Sequence, residues 1–121
     1  MRKLLLILIL LTSSFTCLSE NKVTKPVIGL ATYYSNSQQN HLMSNGNRFD
    51  NKKLTVASLI YPFGTRLRLT RIKGGQSVIV TVTDRGPFSR NKKRIIDVSQ
   101  ETARKLNFIN KGICLLKIEV L

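Results

Sequence analysis

Near neutral pH this 121-residue chain has few groups for chemistry: six carboxylates, one histidine and two cysteines. No His/Cys/carboxylate group has metal-ligand spacing, so no metal site is expected. No Gly-rich phosphate loop of the Walker or dinucleotide type is present, so no cofactor is expected either. Carboxylate chemistry remains. Asp84 opens Asp84-Arg85-Gly86-Pro87-Phe88, where Gly86 and Pro87 stop a strand ladder and stiffen the loop. Read from residue types alone, Asp84 is either a functional carboxyl at a strand end or a loop carboxylate paired with Arg85 or Arg94. Asp97 lies in Ile95-Ile96-Asp97-Val98-Ser99, just before a helix start. Its expected role is structural: accepting backbone N–H groups or holding Arg85. His41 sits in a long polar loop, where a lone histidine is more often solvated than swung into a cleft.

These residues need a frame, and the pattern around them is mainly β. Residues 27–34 are β-branched and aromatic and read as a strand, with Gly29 marking a bulge or a close approach. Residues 35–53 form a long, polar, Asn-rich loop with a turn at Asn45-Gly46. Loops of that length in a small domain are usually functional. A short apolar piece spans 54–59 and a turn spans 61–65. Residues 66–71 alternate with period two, which turns Arg66 and Arg68 outward. Lys73-Gly74-Gly75-Gln76 closes a hairpin onto a return strand at 77–83. A basic cluster at 90–94 leads into a short strand at 94–98. Ser99 is a good N-cap and Glu101 suits a first turn, so 99–106 is the one expected helix. Asn107 can adopt the left-handed conformation that ends it. Residues 113–120 are the last strand. Short strands, turns and one helix point to a closed β-barrel.

The length allows one domain, and a 42% hydrophobic fraction supplies a core rather than a disordered chain. Met1-Arg2-Lys3, an unbroken Leu/Ile run at 4–11 and a small polar stretch to Ser19 have the order of a secretion signal. The expected division is therefore signal peptide 1–19, linker 20–26 and barrel domain 27–121. Removing Arg2 and Lys3 leaves 18 basic against six acidic residues, a net charge of +12. Inside a cell that would favour nucleic acid. On an exported protein it favours anionic envelope polymers or a membrane surface. Cys17, directly after the apolar run, is a candidate lipidation site for membrane attachment, although Phe15-Thr16 before it fits a lipobox poorly. Cys114, in an apolar run, is expected to be a buried inert thiol.

Taken together, Gly29-Leu30-Ala31-Thr32-Tyr33-Tyr34, Asn45-Gly46-Asn47-Arg48-Phe49-Asp50, Leu54-Thr55-Val56-Ala57, Pro62-Phe63-Gly64-Thr65, Asp84-Arg85-Gly86-Pro87-Phe88 and Ile95-Ile96-Asp97-Val98-Ser99 resemble, in order and spacing, the rare lipoprotein A family. The resemblance covers nearly all of 27–121, and the Asp84 and Asp97 motifs are its specific parts. It implies a six-stranded double-psi β-barrel with one short helix, related to the expansin barrels. It also implies a periplasmic or envelope lytic transglycosylase that cuts peptidoglycan glycan strands, prefers strands stripped of stem peptides, and leaves 1,6-anhydro-N-acetylmuramic acid ends. Asp84 matches the family's catalytic Asp. One carboxyl can act first as acid, then as base, if its pKa is raised. The family keeps His where this chain has Ser58 and Glu where it has Asn47. Neither replacement titrates near neutral pH, but both can hydrogen-bond a sugar. Ser58, Asn47, Arg85 and Tyr34 are thus the expected substrate-binding residues, with Asp97, Gly86 and Pro87 structural. Of Tyr33, Tyr34, Phe63 and Phe88, at most one or two are expected to face glycan. Many relatives add a septal glycan-binding domain after the barrel. This chain ends with the last barrel strand, so targeting by that route is not expected. The alternative function is a non-catalytic, expansin-like glycan-binding module.

Overall fold

A computed structural model describes residues 25–86 and 93–121. The expected signal peptide with Cys17, most of the linker, and Pro87, Phe88, Arg90 and Lys92 lie outside the described residues. Six strands, β1 (Val27–Tyr33), β2 (Thr55–Ser58), β3 (Arg66–Arg71), β4 (Ser77–Asp84), β5 (Arg94–Val98) and β6 (Cys114–Val120), are joined by one helix, α1 (Gln100–Lys105). The strands close into a barrel in the order β1-β5-β2-β4-β3-β6. This is the double-psi barrel that the resemblance implied.

Side-chain alternation decides which face of each strand is inside. In β3, Leu67 and Leu69 are fully buried while Arg66 and Arg68 face solvent. Val78, Val80 and Val82 of β4 and Leu116 and Ile118 of β6 meet them in the core, with Val56, Ile96 and Val98 completing the lining. The β3–β4 hairpin is local. The β1–β5 and β2–β4 pairs are parallel, so no tight turn can make them. Gly29 is a close approach: a Cβ there would overlap the Ile95 side chain. The register shift falls one residue later, between Leu30 and Ala31.

The helix is shorter than the expected 99–106. Ser99 Oγ caps it by accepting the Thr102 N–H at 3.2 Å. At the other end Leu106 leaves helical geometry (φ −89°, ψ 0°) and Asn107 turns left-handed (φ 59°). Leu106 and Phe108 are then buried in the barrel core. Cys114 is buried at the start of β6, and burial pushes its thiol pKa up, as an inert thiol requires. Among the described residues no helix is long and apolar enough to cross a membrane.

Candidate active site

β2 lies between β4 and β5, and one residue of it organises the site. Ala57 is in register with Asp84 on one side and with Asp97 on the other. Neighbouring strands are about 4.8 Å apart, so the two aspartate Cα atoms stand roughly 10 Å apart on one face. Ala57 between them is fully buried, covered by Tyr34, Met43 and Phe49. Both carboxylates line one open cleft with Tyr33, Tyr34, Ser35, Gln38 and Gly86.

The long loop forms the roof. Tyr34, Met43, Phe49 and Ala57 make a second, small apolar cluster outside the barrel. Phe49 is 2% exposed and stacks on Tyr34 at 4.1 Å and 18°. Backbone bonds from Asn40 to Phe49, from Phe49 to His41 and from Met43 to Asn47 fold the loop on itself. The cluster therefore pins the loop, and the pinned loop delivers Ser44 to Asp84.

Asp84 is half-buried and accepts four hydrogen bonds: Tyr34 Oη at 2.6 Å, Ser44 Oγ at 2.7 Å, Ser44 N–H at 3.0 Å and the Arg85 N–H at 2.9 Å. Burial alone would raise its pKa. The donors, led by Tyr34 and then Ser44, outweigh burial and hold the carboxyl below its ordinary value. In the free protein Asp84 is therefore an anion, which corrects the expectation of a raised pKa. Burial and the neighbouring carboxylates push the Tyr34 phenol well up, so Tyr34 stays a neutral donor. Gly86 takes a φ of +66°, a left-handed conformation that favours glycine.

Asp97 differs. It is 8% exposed, accepts the Thr32 hydroxyl at 3.0 Å and pairs with Arg94 at 3.5 Å. Burial raises its pKa, with help from the charge on Asp84, and Thr32 and Arg94 only partly offset this.

Several expected residues are otherwise engaged. Ser58 is fully buried, and its Oγ accepts the Ile60 N–H at 3.0 Å, so it offers no hydroxyl to a sugar. Arg85 holds neither aspartate with its guanidinium. Nη1 donates to the Ser58 and Tyr61 carbonyls, both at 2.8 Å, and the group lies 4.0 Å over the Phe63 ring. That clamp fixes the 58–63 turn and replaces the substrate contact expected of Arg85. Tyr34 lines the cleft, but its ring is covered by Phe49 and its hydroxyl is spent on Asp84. Tyr33 is tied to the Ile109 carbonyl at 2.8 Å and packs on Phe108. Asn47 is exposed on the roof loop, as is His41. Sequence reasoning missed Ser44 and Thr32. Ser44 precedes the Asn45-Gly46 turn, but nothing local ties it to Asp84.

The family model described as "Lytic transglycolase" matches residues 27–118. "Endolytic peptidoglycan transglycosylase RlpA" of Neisseria meningitidis serogroup A is 44% identical over 91 residues, covering 75% of this chain and 37% of that protein. "Probable endolytic peptidoglycan transglycosylase RlpA" of Nostoc is 40% identical over 95 residues, covering 77% and 25%. This chain thus spans well under half the length of these relatives. Among solved structures, the apo expansin of Clavibacter michiganensis superposes with a TM-score of 0.62 at 25% identity, covering 80% of this chain and 50% of that one.

Proposed function

Because the chain belongs to the lytic transglycolase family, we propose that it is a peptidoglycan lytic transglycosylase with Asp84 at its reaction centre. The observation that carries this reading is a carboxylate fixed by four hydrogen bonds at the edge of an open cleft. Such an enzyme breaks the bond between N-acetylmuramic acid and N-acetylglucosamine without water. The C6 hydroxyl of the muramic acid attacks its own C1, and a base must take the hydroxyl proton. Asp84 is built for that step. It is ionised, and its orientation is set by Tyr34 and Ser44. A glycan seated in the cleft expels water and raises the proton affinity of Asp84, which strengthens it as a base.

The proposed substrate is the glycan strand free of stem peptides, with 1,6-anhydro ends as products. Asn47, exposed on the roof loop, is the remaining candidate for a sugar contact. The proposed location is the periplasm or cell envelope, reached through the leader at 1–19, with Cys17 as the point of attachment if it is lipidated. The test is to incubate the protein with peptide-free glycan strands and look for anhydro ends. Asp84→Asn should keep the fold and glycan binding but reduce product formation by about 10²–10⁴. An Asn variant working at the parental rate would remove Asp84 from the chemistry.

The second reading is a non-catalytic glycan-binding module. It is supported by the resemblance, in which the family's histidine and glutamate fall at Ser58 and Asn47 of this chain. Tight strand binding with no anhydro ends from the wild type would decide for it.

A further inference from the structure

Two carboxylates face one cleft, and the reaction needs two proton transfers. We infer that Asp97 is the second reacting carboxyl, donating the proton that the leaving oxygen takes while Asp84 accepts the proton of the C6 hydroxyl. The inference rests on the transglycosylase reading above.

Asp84 and Asp97 flank Ala57 in register, and Tyr34, packed over Ala57, interacts with both. Both line the cleft that also holds the Tyr34 hydroxyl. A glycosidic linkage would meet the two carboxyls from the open cleft that both of them line. Asp97 is not sealed off, since 11% of its side-chain surface remains exposed. The groups around it come from three strands and the roof: Thr32 of β1, Arg94 of its own strand, Asp84 of β4, and Tyr34 just beyond β1. Thr32 takes one carboxylate oxygen and Arg94 approaches the other, so the group is oriented.

The chemistry then closes. The O6 proton passes to the Asp84 carboxylate, and an O6 lone pair forms the bond to C1. The C1–O4 bond breaks with its electron pair on O4, and O4 takes the proton from Asp97. The pair ends with Asp84 protonated and Asp97 ionised, its total charge unchanged. Proton exchange through water in the open cleft restores the starting state. No oxidant, metal or co-reactant is required. Supporting this division, the surroundings push the two proton affinities apart, Asp84 down and Asp97 up, which is how carboxylate pairs divide acid and base work. It also gives this chain a proton donor in a cleft where the family's histidine position is a buried serine.

The experiment uses two substrates: a glycan strand, whose leaving sugar must be protonated, and a muramyl glycoside carrying a nitrophenol, which leaves unaided. Asp97→Asn should lose roughly 10²-fold or more on the strand and recover to within about tenfold of wild type on the nitrophenyl substrate. Asp84→Asn should be impaired on both. Equal loss by Asp97→Asn on both substrates, or no loss on either, overturns the inference and leaves Asp97 structural. Absence of anhydro ends from the wild type is a different result, since it overturns the transglycosylase reading itself and this inference with it. Should Asp97→Asn fail to fold, carboxyl-carbon NMR titration of the wild type gives the same decision. Asp97 should hold its proton to higher pH than Asp84, and the reverse order would overturn the inference.

Discussion

Asp84 stands at the end of β4 under a loop, and Asp97 stands inside β5 against the barrel wall. Each has Ala57 as its neighbour on β2. Asp84 collects four donors, two of them from Ser44 on the roof loop. Asp97 has one hydroxyl, one guanidinium and far less water. A charge with several donors is stabilised despite partial burial, whereas a charge with few donors and deep burial is not. Two identical side chains across one alanine thereby take opposite protonation tendencies. The difference comes from Tyr34 and the loop's Ser44 at Asp84 and from burial in the barrel at Asp97.

The strongest way to break this contrast is to detach the loop. Phe49→Ala removes the ring that stacks on Tyr34 and empties the small cluster under residues 35–53. A buried Phe→Ala change typically costs about 3–5 kcal/mol. Denaturant unfolding should show that loss, and the Asp84 titration should move up as Ser44 departs, while Asp97 changes little. An unmoved Asp84 titration would mean that the loop is not its source of donors.

A smaller effect is expected from Ser58→His, which asks whether a third titrating group can join the two carboxylates. Residue 58 is fully buried, and its neighbour Ala57 already occupies the aspartate face of β2. Consecutive strand residues point to opposite faces. Overpacking a filled site costs about 1–3 kcal/mol, so the variant should be less stable and should form anhydro ends no faster. A rate increase would place the imidazole within reach of Asp84 and make the two-carboxylate account too narrow.

The contrast should also appear in the pH dependence of stability, with opposite signs. The lowered pKa of Asp84 contributes stability that is present above the ordinary carboxylate value and lost as pH falls through the lowered one. The raised pKa of Asp97 contributes stability that is present below the ordinary value and lost as pH rises through the raised one. Denaturation midpoints followed across the acid range should lose their alkaline-side decline in Asp97→Asn and their acid-side decline in Asp84→Asn. Identical pH slopes in the two variants would show that the environments do not differ as described.

Least affected by either carboxylate is the charge of the surface. Arg66 and Arg68 project from the outer face of β3, and the chain as a whole is strongly basic. Retention on isolated cell walls should weaken as salt shortens the screening length below about 10 Å. Retention that is flat with salt would leave binding to the cleft alone.

Much of the frame was legible in the sequence because its signals are local. The alternation of 66–71 places Leu67 and Leu69 inside without reference to any other strand, and the Gly-Gly hairpin and the Ser99 cap are each settled within a few residues. Asp84 was legible as a carboxylate at a strand end, and Gly86 as a strand-stopping residue beside it. The partners of the two aspartates were not legible. Ser44 lies 40 residues from Asp84, Tyr34 lies 50 from it, and Thr32 lies 65 from Asp97. Arg85, adjacent to Asp84 in sequence, sends its guanidinium to the carbonyls of Ser58 and Tyr61 instead. Sequence alone thus determined the strands, the cap and the carboxylates on offer, because propensity and periodicity act over a few residues. Tertiary structure decided in which direction each carboxyl's proton affinity moved, because that affinity depends on donors and burial that exist only once β2 is inserted between β4 and β5 and the loop is folded over them.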